Sequence, residues 1–153
     1  MLVLNSEDVS RLLDMDSCIE GVELAFRARG EGRLARSSVA GLELFGGGLH
    51  AKLGAVQLSR AYAAAKINAN FPQNPALRGL PTVQGVVVLF DAESGVPLAC
   101  MDSITITAVR TAAASAVAAK HLALPDAASM TLIGCGIQAR SHADAMALSL
   151  IHI

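Results

Sequence analysis

Met130-Thr-Leu-Ile-Gly134-Cys-Gly136-Ile-Gln-Ala139 is the stretch on which the fold reading turns. Met130–Ile133 reads as a short buried strand running straight into Gly134-x-Gly136-x-x-Ala139, and the residues from there through Ala147 read as helix. In a strand-turn-helix context the first glycine permits a tight turn and the second lets a pyrophosphate approach the backbone. A small residue at Ala139 allows the helix to pack closely on the strand, and the helix N-terminus faces the phosphates. No Gly-Lys-Ser/Thr follows, so this is not a P-loop. An ordinary glycine-rich βα turn has the same appearance; the acidic residue that would decide for a dinucleotide, about 20 positions on, would fall beyond residue 153.

Upstream, the hydrophobic period changes several times. Leu2–Leu4 is a short apolar strand, Ser6 can cap a helix carrying Val9, Leu12 and Leu13, and Ser17-Cys-Ile-Glu20 has capping-box spacing for a second helix. That helix presents Ile19, Val22 and Phe26 on one face and ends at Arg27, Arg29 and Gly30; its charges read as a solvated face. From Gly41 to Phe71 the period is two. Leu42–Phe45 and Leu49–Leu53 flank Gly46-Gly47-Gly48 as a hairpin, and Tyr62–Phe71 alternates, with Ala63, Ala65, Ile67, Ala69 and Phe71 on one face and Lys66, Asn68 and Asn70 on the other. Residues 72–81 read as punctuated loop. Val83–Phe90 and Val96–Met101 form a second hairpin, with Pro97 expected on an edge, and Ile104–Leu124 is an alanine-rich helix stopped by Pro125.

Composition narrows the class. With 12 Lys+Arg against 13 Asp+Glu there is no basic field to attract nucleic acid or an anionic membrane, and no apolar run approaches spanning length. Twenty-eight alanines against four Phe, one Tyr and no Trp imply a core of small groups, which suits helices lying close to their neighbours. The start has no basic region followed by an apolar one, and three widely spaced cysteines, Cys18, Cys100 and Cys135, fit a reduced, cytoplasmic setting.

Few residues carry chemistry. Lys66 sits in mid-strand between alanines and Ile67, as a snorkelling or edge-protecting lysine would, and Arg110 is the one charge in the first four turns of its helix. Two cations beside a dinucleotide turn could clamp a carboxylate. Thr82 and Thr111 could donate hydroxyl hydrogen bonds, although threonine at such places is usually structural. His50, His121 and His142 lack metal-ligand spacing, so no metal is expected.

Five strings, in order, now converge: Lys66-Ile-Asn-Ala-Asn-Phe-Pro-Gln-Asn-Pro75, Gly79-Leu-Pro-Thr82, Leu89-Phe-Asp91 with Gly95-Val-Pro-Leu98, Thr107-Ala-Val-Arg-Thr-Ala-Ala113, and Gly134-Cys-Gly-Ile-Gln-Ala139. Together they make residues 1–147 resemble the ornithine cyclodeaminase and mu-crystallin family. The resemblance implies an α/β enzyme: an N-terminal α+β substrate and dimerisation domain over residues 1–125, followed at 126–147 by the truncated start of a Rossmann domain. It implies a homodimer, NAD as cofactor with NADP as the alternative, and a small amino-acid or cyclic imine substrate. Lys66 and Arg110 match substrate-carboxylate residues of the family, with Arg36 the nearest candidate for a third. Thr82, Arg110, Thr111, Gly134, Gly136, Ile137 and Gln138 match cofactor contacts.

The chemistry implied is that of ornithine cyclodeaminase: hydride leaves the α-carbon for NAD, the δ-amine attacks the resulting iminium, ammonia departs, and hydride returns to give proline. A Δ1-pyrroline-2-carboxylate or ketimine reductase and an alanine dehydrogenase share the same clamp, and a non-catalytic mu-crystallin-like binder belongs to another class. The family's acid/base aspartate is expected downstream. Leu148-Ser-Leu-Ile-His-Ile153 is one translation of the transposase adapter CTG-TCT-CTT-ATA-CAC-ATC. The reading frame is therefore expected to have run off its gene fragment into adapter, leaving a chain inactive by itself.

Overall fold

The computed structural model describes residues 1–150, Leu150 only as the last residue of a helix. The expected adapter tail thus falls partly on residues 151–153, which lie outside the described residues. The strands are β1 Leu2–Leu4, β2 Ser38–Leu44, β3 Gly47–Gln57, β4 Ala61–Asn70, β5 Val83–Asp91 and β6 Pro97–Asp102. The helices are α1 Ser6–Leu12, α2 Met15–Gly30, α3 Asn74–Arg78, α4 Ile104–Leu122 and α5 Ile137–Leu150. They assemble into two compact units, Met1–Val9 with Ala28–Ile104, and Ser10–Arg27 with the residues from Thr105 onward. This grouping cuts across the segments 1–125 and 126–147.

The first unit is one mixed sheet in the order β1-β6-β5-β4-β3-β2, antiparallel except for the β1/β6 pair. The alternation read from Tyr62 to Phe71 is strand β4, which lies between β3 and β5 and so is not an edge. Edge protection therefore does not explain Lys66. The first hairpin is longer and tighter than expected, because Leu44 pairs with Gly47 and leaves Phe45 and Gly46 as the turn. Gly47 belongs to the strand for a steric reason: a Cβ there would lie 2.5 Å from the Asn70 carbonyl oxygen and 2.7 Å from the Phe71 ring. β6 is interior too, yet Pro97 is its first residue and precedes the stretch that β1 pairs, so its missing N–H leaves no gap in that ladder.

Residues 72–81 are not wholly loop. Pro75 fits the first turn of α3, Gly79 ends it at φ +65°, and buried Asn74 donates to the Pro81 carbonyl at 3.4 Å while accepting from Arg78 at 3.2 Å. The helix caps also sit earlier than the sequence suggested. Asn5 and Asp8 cap α1 reciprocally, each side-chain oxygen accepting the other's N–H, at 2.9 and 3.1 Å. Asp14, not Ser17, caps α2, accepting the Ser17 N–H and hydroxyl, both at 2.8 Å.

The second unit is helical. Ala112 and Ala116 of α4 and Ala145 of α5 are fully buried together, with Met15, Ile19 and Met146 packed around them. Small residues let the two helices touch: Ser149 on α5 donates to the Ala116 carbonyl of α4 at 3.1 Å. The charges of α2 are not simply a solvated face. Glu23 accepts from Lys120 at 3.0 Å, from His121 at 3.1 Å and from Arg27 at 3.4 Å, tying α2 to the end of α4.

Met130–Ile133 departs from expectation. It forms no strand among the described residues, and Met130, Leu132 and Ile133 are exposed rather than buried. A parallel strand is held only by a ladder to a neighbour, and the six-stranded sheet belongs wholly to the other unit.

Candidate functional site

In the sheet unit, register decides which side chains share a face. Lys66 is half-buried at the middle of β4, its Cα partners being Lys52 on β3 and Val87 on β5. Two residues along, Asn68 pairs with His50 and with Gly85. One face therefore carries Lys52, His50, Lys66 and Asn68. Asn68 is fixed by buried Ser103, whose hydroxyl donates to its Oδ1 at 3.0 Å while the Ser103 N–H donates to the Gly85 carbonyl, also at 3.0 Å. Glycine is required opposite: a Cβ on Gly85 would lie 2.1 Å from the Ile67 carbonyl oxygen.

Beside these residues a hollow of about 640 Å³ is lined by Gly41, Glu43, Gly48, His50, Asn70 and Pro72, among others. The His50 ring lies against glycines on both sides, since a Cβ on Gly41 would approach Nδ1 to 3.3 Å and one on Gly48 would approach Nε2 to 3.4 Å. Neither His50 nor Lys52 was singled out by the sequence reading as partners of Lys66. The signal was there in the alternation of β3, but pairing it with β4 needed the register.

Thr82 stands just before β5, half-buried, its carbonyl accepting the Phe71 N–H at 2.8 Å. Arg36 is exposed and lines a separate hollow of about 250 Å³ with Leu53, Ala63, Ala65 and Phe90. Leu53 and Ala65 pair with each other, one residue out of phase with Lys52 and Lys66. Gly54 and Ala64, in phase with Lys52 and Lys66, line the same hollow, and Leu34, two residues before Arg36, bridges Val56 of that phase.

In the helical unit, Arg110 is an exposed residue of α4. Its positive charge acts on buried Cys18, whose thiol is pushed up by burial first and by Asp14 second, with Arg110 opposing. Thr111 donates its hydroxyl to the Thr107 carbonyl at 2.6 Å, so its one hydrogen is used within the helix and only its lone pairs remain for another group.

The glycine turn precedes α5. Gly134 has φ +116°, a conformation that side chains rarely adopt, and nothing lies within 4 Å of a Cβ built on Gly136. Ile137, the first residue of α5, is exposed, and the first N–H groups of a helix have no partner within it. Gln138 is half-buried; its carbonyl meets His142 Nδ1 at 2.7 Å, while its side-chain Oε1 is buried without a hydrogen-bond partner. An open backbone approach and a helix N-terminus fit the pyrophosphate of a dinucleotide. Cys135 within the turn is exposed. No three His, Cys, Asp or Glu side chains come together as a metal-ligand set among the described residues.

The sequence profile of the ornithine cyclodeaminase/mu-crystallin family matches residues 1–151. The chain belongs to this family. Within the ornithine cyclodeaminase/mu-crystallin family it is 37% identical over 145 residues to an alanine dehydrogenase of Archaeoglobus fulgidus, which covers 95% of this chain and 44% of the relative. The structure of an archaeal alanine dehydrogenase dimer with bound NAD superposes with a TM-score of 0.90 at 37% identity, over 97% of this chain and 45% of that one. A Δ1-pyrroline-2-carboxylate reductase of Thermococcus litoralis, solved with NADH and L-proline, gives 0.86 at 34% identity, over 97% of this chain and 46% of its own. The chain thus spans less than half the length of these family members. Among the described residues no helix is long and apolar enough to cross a membrane.

Proposed function

We propose that these residues are the first part of a longer, NAD-dependent enzyme acting on a small amino acid or its cyclic imine. The observation that carries this reading is the glycine turn, with Gly134 at φ +116°, open space before Gly136 and the N-terminus of α5 directly after it. Gly134, Gly136, Ile137 and Gln138 would hold the pyrophosphate, and Thr82, Arg110 and Thr111 would contribute further cofactor contacts. When bound, NAD would supply hydride acceptance and return.

The chain's own part is positioning. Lys66 is a cation whose backbone is fixed by a strand ladder on either side, so a carboxylate that it holds is oriented with little reorganisation. We assign Lys66 and Arg110 to the substrate carboxylate, with Arg36 as the candidate for a third residue. L-Ornithine, closing to L-proline with loss of ammonia, is the first substrate of choice. A reductase acting on Δ1-pyrroline-2-carboxylate, or an alanine dehydrogenase, is the second reading, favoured by the two NAD-type complexes that superpose on the chain. A mu-crystallin-like binder would bind nucleotide without turnover.

The sheet supports a homodimer, since the face opposite Lys66 exposes Leu42, Leu53, Ile67 and Val86. A cytoplasmic enzyme, its three thiols unpaired, completes the reading. The test is direct. The full-length gene product is incubated with L-ornithine and NAD, and proline and ammonia are measured beside NADH oxidation with Δ1-pyrroline-2-carboxylate and NAD reduction with L-alanine. Turnover of one of these is the expected result; nucleotide binding with no turnover of any overturns the enzyme reading in favour of the binder.

A further inference from the structure

Lys52 lies directly across from Lys66 in the antiparallel β3/β4 ladder. Side chains of such a pair leave the sheet on the same side with Cβ atoms about 5 Å apart, and like charges placed so repel each other. A lysine on a strand commonly guards an edge, but β3 is covered on one side by β2 and on the other by β4, so Lys52 guards none. Nor does a carboxylate neutralise it: Lys52 is exposed and its side chain takes part in no ion pair or hydrogen bond among the described residues.

The pair is flanked by Val39 and Val87, and two residues along the sheet is cleared and polar. His50, two residues before Lys52, borders the 640 Å³ hollow, and its neighbours Gly41 and Gly48 and, beyond Asn68, Gly85 keep bulk off the same face. A second cation, Lys52, placed on the same face as Lys66 and two residues from a hollow is suited to an anion.

We propose that Lys52 is a further substrate-binding residue: its ammonium takes one oxygen of the substrate's carboxylate while that of Lys66 takes the other. This rests on the assignment of Lys66 to the substrate carboxylate. Two ammoniums at fixed spacing select a planar, two-oxygen anion over a neutral amide, and they hold it against rotation.

The experiment uses the full-length protein saturated with NADH and titrates L-proline, whose α-carboxylate is the probe, by calorimetry. Lys52→Gln, Lys52→Arg and Lys66→Gln are compared with the parent, with NADH affinity and thermal melting recorded for each. The expected result is a loss of about tenfold or more in L-proline affinity for Lys52→Gln and Lys66→Gln, recovery to within about threefold for Lys52→Arg, and unchanged NADH affinity. Parent-like L-proline binding by Lys52→Gln, with loss only in Lys66→Gln, overturns the role of Lys52 and leaves that of Lys66 standing. Parent-like binding by Lys66→Gln removes the assignment on which the proposal rests. If Lys52→Gln melts early, Lys52→Met at the same exposed position replaces it, with the same criteria.

Discussion

Glu23 shows how much a single side chain can hide from a sequence. Read alone it is one charge among several on α2; in the structure it accepts from Lys120, His121 and Arg27, and these partners, Lys120 first, hold its carboxyl down from 4.5 to about 2. Because the folded value is depressed, the stabilisation is complete above the unfolded value and disappears as pH falls from about 4.5 towards 2. Glu23→Gln should therefore melt at a lower temperature than the parent at neutral pH, with the gap closing across this acid window; a gap unchanged at pH 3 by scanning calorimetry would refute the linkage. The cysteines give a second test. Cys135 is exposed in the glycine turn, whereas Cys18 is buried with its thiol pushed up by that burial. In the full-length protein iodoacetamide should label Cys135 well before Cys18, and NAD at the turn should slow labelling of Cys135 alone, as peptide mass spectrometry would show. Lys66 was legible because a charge interrupts an apolar alternation. Lys52 was not, since only pairing puts it opposite.

At the level of elements, period and small-residue spacing were good guides and boundaries were poor ones. β4 and β5 declared themselves by alternation and β-branched content, and α4 by its run of alanines. The caps slipped because Asn5 and Asp14 compete with the serines that follow them, and α3 went unseen because proline and glycine mark its ends as well as a loop. Met130–Ile133 failed for another reason, as strand propensity has no meaning without a partner. The glycines allow a sharper test than propensity does. Gly85→Ala would press a methyl to 2.1 Å from the Ile67 carbonyl oxygen and 2.6 Å from Asn68 Oδ1, forcing β4 and β5 apart. It should destabilise by about 1–3 kcal/mol or more. Gly54→Ala, in β3, meets nothing within 4 Å and has no left-handed backbone, so it should be neutral or stabilising by up to about 1 kcal/mol. Chemical denaturation of the two variants in one full-length background measures both; equal losses would mean that the β4/β5 contact is not tight.

For the whole molecule, five collinear motifs placed the chain in its family, whereas the grouping of Ser10–Arg27 with α4 and α5 could not be read from linear order, because it depends on contacts between distant segments. The sheet's two faces carry the remaining consequence. The face bearing Lys66 carries Lys52, His50 and Asn68 with glycines beside them; the other bears Leu42, Leu53, Ile67 and Val86 at 60%, 51%, 40% and 39% exposure, spread over four strands on one side of the sheet. Apolar side chains on such a face contribute about 1.5–3 kcal/mol each when fully covered, so a second copy of the chain laid over them would be held without touching the carboxylate residues. The full-length protein should run as a dimer by size-exclusion chromatography with light scattering. Ile67→Lys or Leu53→Lys should shift it to monomer, because a lysine within the covered apolar face must be desolvated on association. Ile67 neighbours Lys66 in sequence but projects to the opposite face, so the monomeric variant should retain measurable L-proline affinity. A variant that stays dimeric with an unchanged dissociation constant would place the subunit contact elsewhere, and one that loses L-proline binding in step with dimerisation would show that the two faces are coupled.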